Sequence, residues 1–148
     1  MDEQLLGARL AFLQAAEALK DTLRSGHTSQ GRAESTAEHS WRLCLMALAF
    51  EDQLPGVDML KLLKLCILHD LGEAIHGDIP AVQQVDKDAK RAQEQEDMLA
   101  LTAPLDAALR AQLMSLWEEY DAVGSPEAAL VKAFDKLVTE LRHKHGRN

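Results

Sequence analysis

Basic charge is in deficit in this chain: 16 lysines and arginines face 24 acidic residues, for a formal net charge of −8. Binding along a phosphate backbone needs a basic surface, so a general nucleic-acid binder is excluded. A small anionic substrate stays open, provided that a metal and one or two arginines make a local positive site. Cysteine is almost missing. Cys44 and Cys66 both lie in apolar helical stretches and form no CxxC pair, so they read as buried thiols in a reducing compartment. There is no apolar run long enough to span a membrane and no signal peptide, from which a cytoplasmic protein without a membrane partner is expected. Glycine, proline, aromatic and β-branched residues are sparse as well. Alanine and leucine take their place, and that composition favours helices throughout. At 148 residues the chain is the size of one ordinary domain with a real core.

Periodicity and punctuation divide the chain into helices. Leu6, Leu10, Leu13 and Leu19 predict an amphipathic helix over residues 3–23. Arg24-Ser25-Gly26-His27 breaks it, and the polar segment through Arg32 reads as a loop. Ser35-Thr36-Ala37-Glu38 has the form of a capping box and starts a second helix, with Leu43, Met46, Ala47 and Phe50 on its buried side. Pro55-Gly56 ends that region. A third helix is expected from about Asp58 to His76, stopped by Gly77 in the turn Gly77-Asp78-Ile79-Pro80. Residues 87–101 form a charged helix anchored by Met98, Leu99 and Leu101. Pro104 opens the next, whose apolar face carries Leu105, Leu109, Leu113, Leu116, Trp117 and Tyr120. Ser125-Pro126 starts the last, with serine as N-cap and proline in the first position. The expectation is one all-α domain over residues 1–148, a bundle of about six helices.

Chemistry gathers where apolar runs meet ionisable groups. Leu65-Cys66-Ile67-Leu68 is followed directly by His69-Asp70, and at about 100° per residue His69, Asp70 and Glu73 share a sector of roughly 100° on one helix face. Such groups need partners when buried, and a divalent cation is one; a helix that simply reaches the surface at His69 is the other reading. Asp135 lies within the stripe of Val131, Phe134 and Val138, paired with Lys132, Lys136 or a neighbouring helix, or bound to metal. His39 sits in the first turn of its helix, as a capping or core histidine or as a ligand. Taken together, His39, His69, Asp70 and Asp135 supply two imidazoles and two carboxylates from three helices. That set suits one divalent ion such as Co, Mn, Zn, Fe or Mg, and leaves coordination positions for water and substrate.

The ordered pattern H…HD…D resembles the HD-domain metal-dependent phosphohydrolases. The segments around Arg24-Ser25-Gly26, Glu34 to Ser40, His69 to Glu73, Gly77 to Pro80, Trp117 to Tyr120 and Val131 to Lys136 resemble the 5′-deoxynucleotidase branch, in order and over nearly the whole chain. The resemblance implies that His39, His69, Asp70 and Asp135 hold the metal. It implies catalytic carboxylates at Glu73 and Asp78, with Asp78 also at the substrate, and an arginine, Arg24, that meets the phosphate. Relatives carry tryptophan after the Arg-x-Gly; here His27 stands in that substrate-facing place, which bears on base and sugar preference. His76, where relatives have a less polar residue, either touches substrate or faces solvent at a helix end.

The expected activity is hydrolysis of (deoxy)nucleoside monophosphates to nucleoside and phosphate, with a non-catalytic nucleotide sensor as the rival. A sensor has no need of Glu73 and Asp78 beyond the ligand set. A dinuclear site is disfavoured because His76 is the one histidine between Asp70 and Asp135. Relatives associate through helices, and the leucine-rich faces of residues 3–23 and 105–120 exceed what one small domain buries, so a homodimer is expected.

Overall fold

Local signals at three helix starts carry directly into the computed structural model, which describes residues 1–77 and 86–145, with side chains of the last helix to residue 141. Ser35 caps α2 (Thr36–Ala49): its Oγ accepts from the Glu38 N–H at 3.1 Å, while Glu38 accepts from the Ser35 N–H at 2.8 Å. Asp58 caps α3 (Met59–Leu68) through the Lys61 N–H. Ser125 Oγ accepts from the Ala128 N–H at the start of α7 (Pro126–His145).

The remaining elements are α1 (Glu3–Ala16), a 3-10 turn over Glu17–Asp21, strands β1 (Leu23–His27) and β2 (Ala33–Ser35), the single turn α4 (Glu73–His76), α5 (Lys87–Thr102) and α6 (Ala107–Asp121). Among the described residues the fold is therefore all-α apart from one antiparallel hairpin.

Helix α3 is the axis of the bundle. It packs against α2, α6 and α7, and Leu62, Leu65 and Cys66 are completely buried along it. Each leucine so buried contributes roughly 1.5–3 kcal/mol. With Leu43, Ala47, Ala128, Val131 and Val138 they make one core cluster. A second, around Leu19, Leu68, Leu71, Met98, Leu101 and Trp117, lies under α5 and α6. Both cysteines are free thiols.

Several boundaries differ from expectation. The first helix ends at Ala16, and Leu6, Leu10 and Leu13 are 47%, 53% and 60% exposed. Residues 24–32 are not all loop: the chain through Arg24 pairs with Ala33–Ser35, in a register that is irregular between Leu23 and His27. Leu99 faces outward, whereas Met98 and Leu101 are buried. Helix α6 begins past Pro104, capped by Asp106. The helix expected to run on to His76 is broken at residues 69–72. There the backbone tightens, with Leu71 N–H bonded to Leu68 O, Glu73 to Asp70 O and Ala74 to Leu71 O, each three residues back. The Cys66 carbonyl, which a continuing α-helix would offer to Asp70, accepts from the His69 ring at 2.8 Å. Gly77, at φ 79°, closes α4 in the left-handed region that suits glycine. Asp78 and the rest of that turn lie outside the described residues.

Candidate metal centre

Three helices and the tight turn bring His39, His69, Asp70 and Asp135 together, with one ligand-type atom from each, all within 4.8 Å of one another. His39 comes from the first turn of α2, His69 and Asp70 from the end of α3, and Asp135 from the middle of α7. Asp135 Oδ1 meets His39 Nε2 at 2.5 Å rather than pairing with a neighbouring lysine. Lys132 instead lies over the Tyr120 ring, 4.1 Å from its centroid, and that ring packs edge-on against His69 at 5.4 Å.

The state of His69 is the informative detail. Its Nδ1–H donates to the Cys66 carbonyl at 2.8 Å, which fixes the ring's orientation and turns Nε2 toward the cluster. Nε2 is buried and makes no hydrogen bond. It stands 3.0 Å from Asp70 Oδ2, near enough for charge attraction but outside hydrogen-bonding geometry. A buried, oriented, unsatisfied imidazole nitrogen is costly unless something binds it. Two imidazoles and two carboxylates converging on it fit a divalent cation.

Electrostatics agree. Burial alone would depress the His69 imidazolium, but the carboxylates of Asp70 and Asp135 outweigh it and lift the group to about 9. Burial likewise opposes the Asp70 anion, yet His69, Arg24 and His39 hold its carboxyl well below the usual range. Asp135 is lowered too, the His39 hydrogen bond and the His69 charge overcoming its burial. The cluster is thus a place where cationic charge is strongly favoured.

Arg24, on β1, reaches this centre from the side, with Nη1 3.2 Å from Asp70 Oδ2. Glu73 sits one turn past Asp70, and its Oε1 accepts from the Thr36 hydroxyl at 2.9 Å. Thr36 is wholly buried. Nothing in the sequence pattern singled it out, because its part depends on a contact 37 residues away. His27 ends β1 with a buried Nδ1 that makes no hydrogen bond, and no described contact joins it to the cluster. His76 is engaged elsewhere: its Nδ1 meets Asp97 Oδ1 at 2.8 Å, and Gln93 Nε2 donates to the same oxygen at 2.9 Å.

With this geometry in view, the family model for the HD domain matches residues 16–148. The chain belongs to the HD-domain family. Among curated relatives, the zebrafish (Danio rerio) protein named 5′-deoxynucleotidase HDDC2 is 38% identical across 86% of this chain. The human protein of the same name is 35% identical across 95%. The chain spans 64% of the zebrafish relative's length and 74% of the human one's. Among solved structures, a Magnetospirillum magnetotacticum protein titled a predicted metal-dependent phosphohydrolase superposes with a TM-score of 0.84 at 27% identity. That match covers 95% of this chain and 71% of the other. A conserved Pyrococcus furiosus protein superposes at 0.67 with 31% identity, over 86% of this chain and 78% of its own. The HD domain here is thus a mainly helical frame whose His-Asp turn sits where α2, α3 and α7 meet.

Proposed function

We propose that this HD domain is a divalent-metal-dependent phosphomonoester hydrolase that converts (deoxy)nucleoside monophosphates to nucleoside and phosphate. The observation that carries the reading is the buried, unsatisfied Nε2 of His69 at the meeting point of His39, Asp70 and Asp135. These four side chains hold the metal, which is Co, Mn, Zn, Fe or Mg. When bound, such an ion polarises a phosphoryl oxygen and offsets the charge that develops in the transition state.

The chain's own residues do the rest. Arg24 presents a planar guanidinium fork that spans two phosphate oxygens and orients phosphorus for in-line attack. Glu73, steadied by Thr36, orients the attacking water or delivers a proton to the leaving 5′-oxygen as the P–O bond breaks. Asp78 is the second carboxylate of the reaction and contacts the substrate. His27 contacts the nucleoside end, where a polar ring in place of an indole changes base or sugar preference. The names of the human, zebrafish and Magnetospirillum relatives support both substrate class and chemistry.

Residues 1–148 make up one domain in this reading, and two copies of it pair as a homodimer. Leu6, Leu10 and Leu13 are exposed on α1, and Leu13 lines a groove of α1, α3 and α6 with Phe12, Ile67, Leu109 and Leu113, an apolar face suited to a second copy. A dimer-sized mass in light scattering at micromolar concentration is the expected result; a monomer would remove that part. Two free thiols, together with the finding that no described helix is long and apolar enough to cross a membrane, support a cytoplasmic location.

The deciding experiment is a phosphate-release screen of nucleoside and deoxynucleoside monophosphates, dAMP included, across added Co, Mn, Zn, Fe and Mg. Turnover that depends on the ion is expected. Protein that binds the metal and dAMP yet releases no phosphate with any ion would be a sensor, and the hydrolase reading would fall.

A further inference from the structure

Beside the cluster lies a cleft of about 80 Å3, bounded by the His-Asp turn and α5. It has room for a few waters or one small anion. Four carboxylates border it, from Asp70, Glu73, Glu94 and Asp97, and among the described residues lining it Lys90 is the one lysine or arginine. Such a lining repels a phosphate unless cations face it from more than one side. Arg24 approaches from β1 and is in contact with Asp70. Lys90 stands on the α5 wall of the cleft.

The position of that wall is fixed by packing. Gly72, between Asp70 and Glu73, rides directly on α5: a Cβ there would meet Met98 Cγ at 3.3 Å, Asp97 Cβ at 3.5 Å and the Glu94 carbonyl at 3.6 Å. Glycine lets the two backbones approach, and the approach sets the Lys90–Glu94 face of α5 against the turn. Lys90 Nζ is 3.6 Å from Glu94 Oε1, one helical turn on, and both side chains are partly exposed. An ion pair that long and that wet holds its lysine loosely and gives it up at little cost. Glu94 in turn has its carboxyl raised by partial burial and by the Asp70 charge.

We propose that Lys90 is a substrate-binding residue, its ammonium gripping the oxygens of a phosphomonoester that face α5, while Glu94 holds it in waiting until the anion arrives. The inference rests on the phosphomonoesterase reading above and adds a second cationic contact to the phosphate, from α5. Lys90 exchanges one anionic partner for another, so no covalent step is involved.

The test is calorimetric binding of inorganic phosphate to manganese-loaded protein, beside KM and kcat for dAMP, in wild type, Lys90→Met, Lys90→Arg and Glu94→Gln. Lys90→Met should weaken phosphate binding and raise KM about tenfold or more, the usual loss for a hydrogen bond between charged groups. Manganese content and Tm should stay as in wild type. Lys90→Arg should recover most of the affinity, and Glu94→Gln, which frees the ammonium, should tighten it. A merely structural lysine would move Tm and leave phosphate affinity alone. Phosphate binding that needs Lys90 in a protein releasing no phosphate from any nucleotide would keep this inference and remove the hydrolase reading. Nucleotide turnover and phosphate affinity both untouched by Lys90→Met would overturn the inference and keep the reading.

Discussion

Two imidazole–carboxylate pairs stand seven residues apart along the same stretch, and their difference separates a binding centre from a structural contact. His69 and Asp70 are adjacent in sequence; His76 finds its carboxylate 21 residues on, in Asp97. The His69 ring is buried, its Nδ1 is satisfied by a backbone carbonyl, and its Nε2 is left without a hydrogen bond. His76 gives its Nδ1 to the carboxylate and leaves the ring 57% exposed. A nitrogen that is oriented, desolvated and without a hydrogen bond awaits a ligand, whereas one already hydrogen-bonded at the surface fastens α4 to α5. Proximity of a histidine to an aspartate therefore says little, and the unsatisfied atom says much.

The strongest way to break this contrast is at Asp70. Asp70→Ala removes one of the four converging donors and the partner of Arg24. The variant should purify without stoichiometric metal. The charge stabilisation a metal supplies amounts to several kcal/mol, so the rate should fall by roughly 10^3-fold or more at about 1.4 kcal/mol per decade. Its Tm should also stop responding to added manganese. Elemental analysis beside a phosphate-release assay checks both, and an active, metal-replete Asp70→Ala protein would remove the cluster from the mechanism.

Next in size is Glu73, which belongs to the same turn but not to the converging four. Glu73→Gln should lose about 10^2–10^4-fold in kcat, the range for a positioned acid or base, with metal content unchanged. Thr36 sharpens the point, since its hydroxyl holds Glu73 Oε1. Thr36→Val deletes that one hydrogen bond to a charged group at nearly constant volume and should reduce kcat about tenfold; Thr36→Ser should restore most of it. Equal rates for the valine and serine variants would show that the hydroxyl does not position Glu73.

Legibility followed the range of the interactions. Helix starts at Ser35 and Ser125 could be read directly because a cap is a contact across three residues. His39, His69, Asp70 and Asp135 stood out because ionisable groups interrupt apolar stripes. The break after Leu68 could not be read, because it depends on the His69 ring taking the Cys66 carbonyl and on Gly72 meeting α5, a tertiary approach that no local pattern encodes. The hairpin was hidden for a similar reason. Arg24-Ser25-Gly26 has no β-branched residue, and pairing with Ala33–Ser35, joined by the Thr36 N–H to Thr22 O bond at 2.7 Å, imposes the strand. On α1 the leucine spacing was plain, but spacing cannot say whether the partner of that face is the same chain or another.

A smaller effect concerns the response of His69 to pH. In metal-free protein His69 keeps its proton to about 9, against 6.5 for an ordinary imidazole. A raised folded-state value stabilises fully below the unfolded pKa and is lost as pH climbs through the folded one. Metal-free protein should therefore lose Tm between pH 6.5 and 9. Metal loading displaces that proton, so the decline should vanish in loaded protein, and calorimetry at pH 8 in buffers of different ionisation enthalpy should register proton release. A flat or rising Tm for the metal-free form over that interval would mean that His69 is already neutral.

The smallest effect belongs to His76. Removing its ring by His76→Ala takes one partner from Asp97, but Gln93 Nε2 still donates to Asp97 Oδ1 at 2.9 Å, so the carboxylate is not stranded. The lost pair is solvent-facing on the histidine side, where screening and side-chain entropy keep such contacts to about 1 kcal/mol or less. Metal content and kcat should match wild type, and Tm should drop by no more than a few degrees. His76→Gln, which can still donate to Asp97, should recover part of the loss, and 1 M salt should shrink the gap between wild type and alanine. If His76→Ala instead lost metal or fell tenfold in kcat with Tm unchanged, the ring would have to act on the substrate. The rule drawn from its satisfied Nδ1 would then fail at the site that suggested it.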